Sequence, residues 1–443
     1  MRIVVVGAGL AGSLLVTMLA RQGHEVVLCE RRGDPRRAGH VGGRSINLAI
    51  STRGIDALRR VGLDGAVLSE AVRMPGRMIH GLGRNCIYQP YSADPDRAIN
   101  SVSRGGLNLL LLRAAAQEPS ITMHFGRRCT DIDFEHGAVE LLDEGSGMVQ
   151  TVQGDLVVAA DGAYSVVRSI LQKTEGFDYS QAFLTHGYKE LTIPPRPDGS
   201  WAMEPNALHI WPRGGFMMIA LPNQDRSFTC TLFLAHHAAS AGEQAFDRIP
   251  GGDGGVGAEA FMERWFPDAV PLMPAMTEEF RRNPVGAMVT IRCWPWRRGR
   301  VVLLGDAAHA IVPFYGQGAN CAFEDCVALA EEIGQSAADL PAALEAYQMR
   351  RRRNADAIAE LALRNFVEMR DHTASRLFRA RKRLERALSR ALPGLFVPLY
   401  DMVSFTTMPY ADAVERARFQ WRAVGAATVG IIVLILGALR IAA

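Results

Sequence analysis

The segment from Arg2 to Arg31 constrains the fold more than any other stretch of the chain. Ile3-Val4-Val5-Val6 is an unbroken apolar, β-branched run, the mark of a strand buried on both faces of a parallel sheet. It feeds directly into Gly7-Ala8-Gly9-Leu10-Ala11-Gly12, a G-x-G-x-x-G turn. The three glycines have separate duties. Gly7 permits the tight turn, Gly9 lets the backbone approach a pyrophosphate, and Gly12 lets the next helix lie close on the sheet. That helix carries Leu14, Leu15, Met18 and Leu19 on its apolar face, and its free N–H groups and positive dipole end point at the anion. A second strand, Glu25 to Cys29, delivers Glu30 at the spacing where dinucleotide folds place the acid that binds ribose hydroxyls. Strand, turn, helix, strand and acid together predict a dinucleotide-binding unit, which the glycine pattern alone would not. A secretory signal is excluded, since Gly7, Gly9 and Gly12 interrupt the apolar run and no small-residue cleavage site precedes Glu25.

A chain of 443 residues has room for two domains and a sizeable core. Its net charge of +3 argues against a nucleic-acid binder. The seven cysteines are scattered and form no C-x-x-C pair, which predicts a reducing compartment without a disulfide framework and no metal site.

Beyond Glu30 the pattern predicts a helix over 52–68, short strands at 76–80 and 85–91, a helix over 106–117, and strands at 121–125 and 152–160, the last ending in Asp161-Gly162. From about Phe177 the character changes to short strands at 188–193, 207–211, 216–221 and 227–234, punctuated by Pro, Gly, Asn and Asp, as in an antiparallel sheet. Val301 to Leu304 then repeats the buried-strand signal and runs into Gly305-Asp306, and helical pattern follows over 320–333 and 341–392. The expected class is α/β. A Rossmann-like nucleotide-binding domain over 1–176 and 291–335 carries an inserted, mainly antiparallel substrate domain over 177–290. A helical region over 336–415 and a hydrophobic tail over 416–443 complete the chain.

The tail, from Ala423 to Leu439, has no charge and follows Arg416, Arg418, Trp421 and Arg422. A basic, aromatic collar before such a run predicts a C-terminal membrane anchor with the rest of the chain on the cytoplasmic side. The membrane would be the inner membrane of a bacterium or the mitochondrial outer membrane of a eukaryote. A buried or interfacial helix is the alternative reading of the same run.

Three separated motifs stand in one order: the glycine turn with Glu30, Asp161-Gly162, and Gly305-Asp306 with Pro313. Together they resemble the FAD-dependent aromatic hydroxylases built on the para-hydroxybenzoate hydroxylase fold. FAD is long and needs contacts from distant points of the chain, and only one Rossmann turn is present. NADPH would therefore visit a groove transiently. Longer blocks narrow the resemblance to the kynurenine 3-monooxygenase family over residues 1 to about 411. They are Gly43-Arg44-Ser45-Ile46-Asn47-Leu48-Ala49, Gly76-Arg77-Met78-Ile79-His80, Gln89-Pro90-Tyr91, His186 to Leu191, Glu204 to Pro212 and Val312 to Gly318.

The resemblance implies hydroxylation of L-kynurenine to its 3-hydroxy derivative with NADPH and O2, in the degradation of tryptophan. Arg77 and Tyr91 would hold the amino-acid carboxylate, and Asn365 and Tyr400 would complete that polar end. Leu208, Ile219, Leu221, Thr231 and Phe233, with Pro313, Phe314, Glu368 and Met369, would line the ring pocket. The implied FAD contacts are Gly7, Gly9, Leu10, Ala11, Gly12, Glu30 and Arg31 near the N-terminus, then Arg44, Asn47, Leu48, Arg104 and Asp161. Gly305, Asp306, Gly318, Ala319 and Asn320 follow later in the chain. No catalytic acid or base is expected. Reduced flavin and O2 form an electrophilic hydroperoxide and kynurenine's ring is already electron-rich, so the protein's work is orientation and exclusion of water. A homodimer is compatible with this reading. The rivals are the same chemistry on another aromatic acid, and a membrane-bound flavin reductase or dehydrogenase.

Overall fold

The structure is a computed structural model that describes residues 1–38, 47–83, 85–250, 257–336, 339–372 and 376–442. The run at its N-terminus forms the strand Arg2–Val6 at the middle of a six-stranded sheet. Val301–Leu303, Leu156–Ala159, Arg2–Val6, Glu25–Glu30 and Ile121–Phe125 lie parallel in that order, with Arg297–Arg298 antiparallel at one edge. Ile3, Val4 and Val5 are wholly buried, in one core with the helices and with Cys129, Ile132, Val139, Leu141 and Val152 of a three-stranded antiparallel sheet. On one side the helix Leu10–Arg21 packs against Arg104–Ala115 and Gly318–Gln335.

Two expected elements are each divided. The strand read over 152–160 becomes Val149–Gln153, in a three-stranded antiparallel sheet, and Leu156–Ala159 in the parallel one. The chain changes sheets at Gly154, where a Cβ would stand 3.0 Å from the carbonyl oxygen of Arg2. The helix read over 52–68 becomes Thr52–Arg59 and Asp64–Ser69, separated by Gly62 at φ +65°.

The second main sheet has seven strands in the order Gly286–Trp294, Asp178–Ile193, Phe228–Ala235, Met217–Pro222, Ala207–Pro212, Gly76–His80 and Cys86–Pro90. It draws on residues 76–90 as well as on the inserted segment, and the join between them is the one parallel pairing, Ala207–Pro212 on Gly76–His80. Side chains alternate across it. Trp211, Met218, Leu232 and Leu234 pack with Phe261, Phe266 and Phe280 on one face. Leu208, Ile210, Ile219 and Phe233 face the other way, toward Phe314 and Phe366.

The helical region is interrupted as well. Leu340–Val367 runs into a π-helical turn at Glu368–His372 before Arg376–Ala391. Leu399–Ser404 is a short helix, and the last helix, Tyr410–Ala442, starts inside the region read as 336–415 and continues through the tail. Tyr410, Ala413, Ala417 and Gln420 bury its first turns in the protein.

The expected membrane anchor is overturned, and with it the membrane localisation and orientation that rested on it. Among the described residues no helix is long and apolar enough to cross a membrane. The uncharged run begins with Ala, Gly and Thr, whose small side chains contribute little hydrophobicity, and the turns before it are charged and engaged with the protein. The glycine-rich segment 251–256 lies outside the described residues, so its reading as a loop is not addressed by the structure.

Candidate active site

The glycine turn has the conformation that its sequence demands. Gly7 sits at φ +105°, where an added Cβ would meet the carbonyl oxygen of Ala160 at 2.5 Å. At Gly12 it would lie 1.9 Å from the oxygen of Gly7, whereas at Gly9 it would meet nothing within 4 Å. Two glycines are packed shut and the middle one faces open space, the arrangement a phosphate cradle requires. Glu30 is fixed beside it: Oε2 accepts from the N–H of Ala8 at 2.8 Å and Oε1 from that of Arg32 at 2.9 Å.

A long groove runs from this cradle. Gly7, Gly9, Glu30, Arg31, Arg104, Asp161 and Asp306 line it, and at its far end it reaches Tyr188, Val312 and Pro313. Asp161 accepts from the N–H of Val166 at 2.8 Å through Oδ2 and so caps the helix Val166–Leu171. Its other oxygen, Oδ1, is buried with no partner among the described residues, and burial raises its pKa above the usual carboxylate value. A buried acceptor left open on a groove fits a polar ligand. Asp306 is exposed at the start of Asp306–His309, after Gly305 at φ +61°. Leu10 and Ala11 begin the helix whose N-terminus faces the cradle.

Arg44 lies outside the described residues. Asn47 and Leu48 stand apart from the groove's lining. Leu48 starts the strand Leu48–Ile50, and the amide of Asn47 donates to Ser101 Oγ at 3.2 Å and to the carbonyl of Pro222 at 3.3 Å. Gly318, Ala319 and Asn320 open the helix Gly318–Gln335. The side chain of Asn320 is wholly engaged inside the protein. Its Nδ2 donates to the carbonyls of Ala49 and Gly316, both at 2.8 Å, and its Oδ1 accepts from the N–H of Ser51 at 2.9 Å.

A second cavity, mostly apolar, adjoins the groove, and Pro313 is part of both walls. The structure brings together here Arg77, Tyr91, Leu208, Ile219, Leu221, Phe233, Phe314, Asn365, Met369 and Tyr400, drawn from four distant parts of the chain. Strand pairing does the local work. Leu208 stands opposite Arg77 in the parallel pair, and Arg77 opposite Gln89 in the next, so Nε of Arg77 donates to Gln89 Oε1 at 3.1 Å. Phe314 packs between Phe233 and Phe366 with tilted rings, their centroids 4.8 and 4.3 Å away. Asn365 donates to the carbonyl of Phe314 at 2.6 Å and, one turn on, to Met369 Sδ at 3.3 Å.

Two of the expected lining residues sit elsewhere. Thr231, opposite Ile219 and on the face of Phe233, is fully buried behind the wall, its Oγ1 lacking a partner among the described residues. Glu368 stands at a polar mouth that also includes Arg77, Tyr91, Asn365 and Tyr400. At that polar end the rings of Tyr91 and Tyr400 stack at 4.9 Å, and Tyr400 stacks in turn on Tyr315 at 5.7 Å. Burial drives both hydroxyls upward, Tyr400 to about 12 and Tyr91 well above the ordinary phenol value, so both are neutral donors at pH 7.

Several contributors escaped the sequence reading. Met74, Ile99 and Tyr315 complete the wall, and Tyr315 could have been found from its place beside Phe314. Gln317 Oε1 accepts from the buried hydroxyl of Tyr410 at 2.9 Å, tying the last helix to the Pro313–Gly318 loop. Behind Gly305-Asp306, His309 Nε2 meets Asp325 Oδ2 at 2.6 Å, and Arg351 Nε donates to Asp325 Oδ1 at 2.6 Å. Nothing in the local sequence at these positions announces the pairing.

The chain resembles known proteins over most of its length. Residues 1–362 match the family model described as an FAD binding domain. The kynurenine 3-monooxygenase of Myxococcus xanthus is 49% identical over 414 residues, covering 93% of this chain and 88% of that protein. That of Stenotrophomonas maltophilia is 45% identical over 427 residues, covering 96% and 92%. Among solved structures, the tetrameric form of 2-methyl-3-hydroxypyridine-5-carboxylic acid oxygenase superposes with a TM-score of 0.68 at 20% identity, covering 91% of this chain and 95% of that one. The p-nitrophenol 4-monooxygenase PnpA of Pseudomonas putida does so with a TM-score of 0.66 at 18% identity, covering 87% and 93%. The structural likenesses establish a shared fold.

Proposed function

The chain belongs to the kynurenine 3-monooxygenase family of FAD-binding hydroxylases, and from that premise we propose how its two cavities divide the work. The reaction is hydroxylation of L-kynurenine to 3-hydroxy-L-kynurenine with NADPH and O2. The groove would hold FAD: Gly9 leaves room for a pyrophosphate, Glu30 would accept from ribose hydroxyls, and Asp161 and Asp306 would accept from other hydroxyls of the cofactor. FAD, reduced by NADPH, supplies the activated oxygen.

The protein's part is to bind, orient and keep dry. Arg77, its Nε already pinned by Gln89, presents the rest of its fork to the substrate carboxylate, and Tyr91 and Tyr400 donate to the same group. The aniline ring lies between Leu208, Ile219, Phe233 and Phe314, which admit no water beside it. Its amine already directs electrons to the ring carbon that reacts, so no side chain need remove a proton first. The observation that carries this reading is Pro313, the shared wall of both cavities, which lets a ring gripped at Arg77 point toward the groove's far end.

The test is direct. Purified FAD-loaded protein given NADPH, O2 and L-kynurenine should release a product heavier by one oxygen. If kynurenine fails to accelerate NADPH oxidation, another aromatic acid is the substrate. Turnover with a carrier acceptor in the absence of O2 would instead make the protein a dehydrogenase.

A further inference from the structure

An amino acid brings two charges to a site, and Arg77, Tyr91, Asn365 and Tyr400 offer no negative charge to its ammonium. The ammonium on the same carbon must also leave water, which is costly without an anion to receive it. The cavity mouth that holds those four residues has two acids in its wall, Glu368 and Glu385. Glu368 ends the long helix at the π turn, and Glu385 comes from the helix Arg376–Ala391. Between them stands Lys382: Nζ donates to Glu385 Oε2 at 3.1 Å and lies 3.9 Å from Glu368 Oε1. The Glu385 side chain is only 12% exposed, so this carboxylate is held near the cavity rather than in bulk water. Its Oε1 also faces Arg381 at 3.5 Å, on the outer side where that arginine is mostly exposed.

We infer that Glu385, with Glu368 beside it, receives the α-ammonium of the substrate in the place now held by the ammonium of Lys382. This rests on the reading of the cavity given above and adds to it a determinant of substrate class. Lysine's ammonium and the substrate's are the same chemical group, each with three donors and one charge, so one replaces the other without leaving a buried carboxylate bare. The mouth then selects α-amino acids over the corresponding acids that lack the amine. Lys382 is a tethered competitor: its long stem lets it swing out when the substrate arrives and return when product leaves.

Calorimetry on the FAD-loaded protein tests this with two ligands, L-kynurenine and the analogue lacking only its α-amino group. Wild type should prefer kynurenine. Glu385→Gln should weaken kynurenine about tenfold, the scale of one charge-assisted contact, and leave the analogue within about twofold. Lys382→Met, which removes the competitor, should leave kynurenine's affinity unchanged or improved. Equal losses for both ligands in Glu385→Gln would overturn the inference. So would weaker binding of both ligands by Lys382→Met, which would make Lys382 a partner of the carboxylate instead. FAD content and melting temperature accompany each variant; if Glu385→Gln does not fold, the Lys382→Met arm decides. A wild-type protein that binds neither ligand would refute the substrate reading itself, an outcome distinct from any of these.

Discussion

Tyr91 and Tyr400, far apart in sequence, stack with ring centroids 4.9 Å apart and planes 13° from parallel. One follows the edge strand Cys86–Pro90 of the seven-stranded sheet and the other begins on the short helix Leu399–Ser404, so the polar end of the cavity is closed from two directions. Tyr400→Phe keeps the stack and loses one donor. Its KM for kynurenine should rise about tenfold with kcat little changed, whereas Tyr400→Ala should also lower the melting temperature because the contact with Tyr315 goes too.

Arg77→Ala removes the only guanidinium among the described residues of the apolar cavity's wall. Steady-state kinetics should show KM raised by roughly a hundredfold, the cost of stranding a buried carboxylate. FAD content, read from the absorbance of the purified protein, should be unchanged; its loss would assign Arg77 to the scaffold.

Gly12→Ala should abolish FAD retention. A methyl group there would stand 1.9 Å from the oxygen of Gly7, so the cradle must open to admit it. The purified variant should be colourless. At Gly9, where the added Cβ meets nothing in the protein, alanine should fold normally and weaken FAD through direct crowding.

The pair behind the Gly305-Asp306 turn sets a pH dependence. Burial pushes the pKa of His309 down, but Asp325 at 2.6 Å outweighs it and the net shift is upward from 6.5. Asp325, penalised by burial but faced by His309 and Arg351, is shifted downward from 3.8. The histidine's contribution to stability is therefore complete below pH 6.5 and is lost as pH rises through its elevated folded value. The aspartate's is present above 3.8 and is lost as pH falls through its lowered value. Melting temperatures of His309→Asn should lie below wild type near pH 6 and converge on it in the alkaline range.

Ending the chain after Arg422 should change neither the melting temperature nor KM measurably. The buried residues of the last helix are Tyr410, Ala413, Ala417 and Gln420, and among the described residues its further contacts with the protein reach no later than Trp421 on Phe396, while Gly425 to Gly430, and Val433 and Leu434, are exposed. Gln420→Ala should destabilise the protein by about 1 kcal/mol, since its amide both accepts from the N–H of Val397 and donates to that residue's carbonyl.

What the sequence made legible was local. Gly7, Gly9 and Gly12 act within one turn, so their spacing reports their purpose, and the blocks around Arg77, Tyr91 and Phe314 could be read because each is a short run with a distinctive order. The illegible parts depend on partners far along the chain. Asn320 reads as a helix start that could face a cofactor, yet its side chain is consumed by Ala49, Ser51 and Gly316. The pairing that sets Leu208 opposite Arg77 is parallel and non-local, and no periodicity within either strand encodes it. The family resemblance implies Glu368 among the ring contacts, but the π turn carries it to the mouth instead. The tail misled because an average over its uncharged run ignores the buried turns that precede it in the same helix.

The split origin of the polar end also fixes when a newly made chain becomes able to act. During synthesis the ribosome releases the nucleotide cradle almost first and Tyr400 almost last, so the whole lining of the cofactor groove, which ends at Pro313, has emerged before the substrate grip is complete. Chains that stop short of Leu399–Ser404 would lack the second ring of the stack and grip substrate poorly.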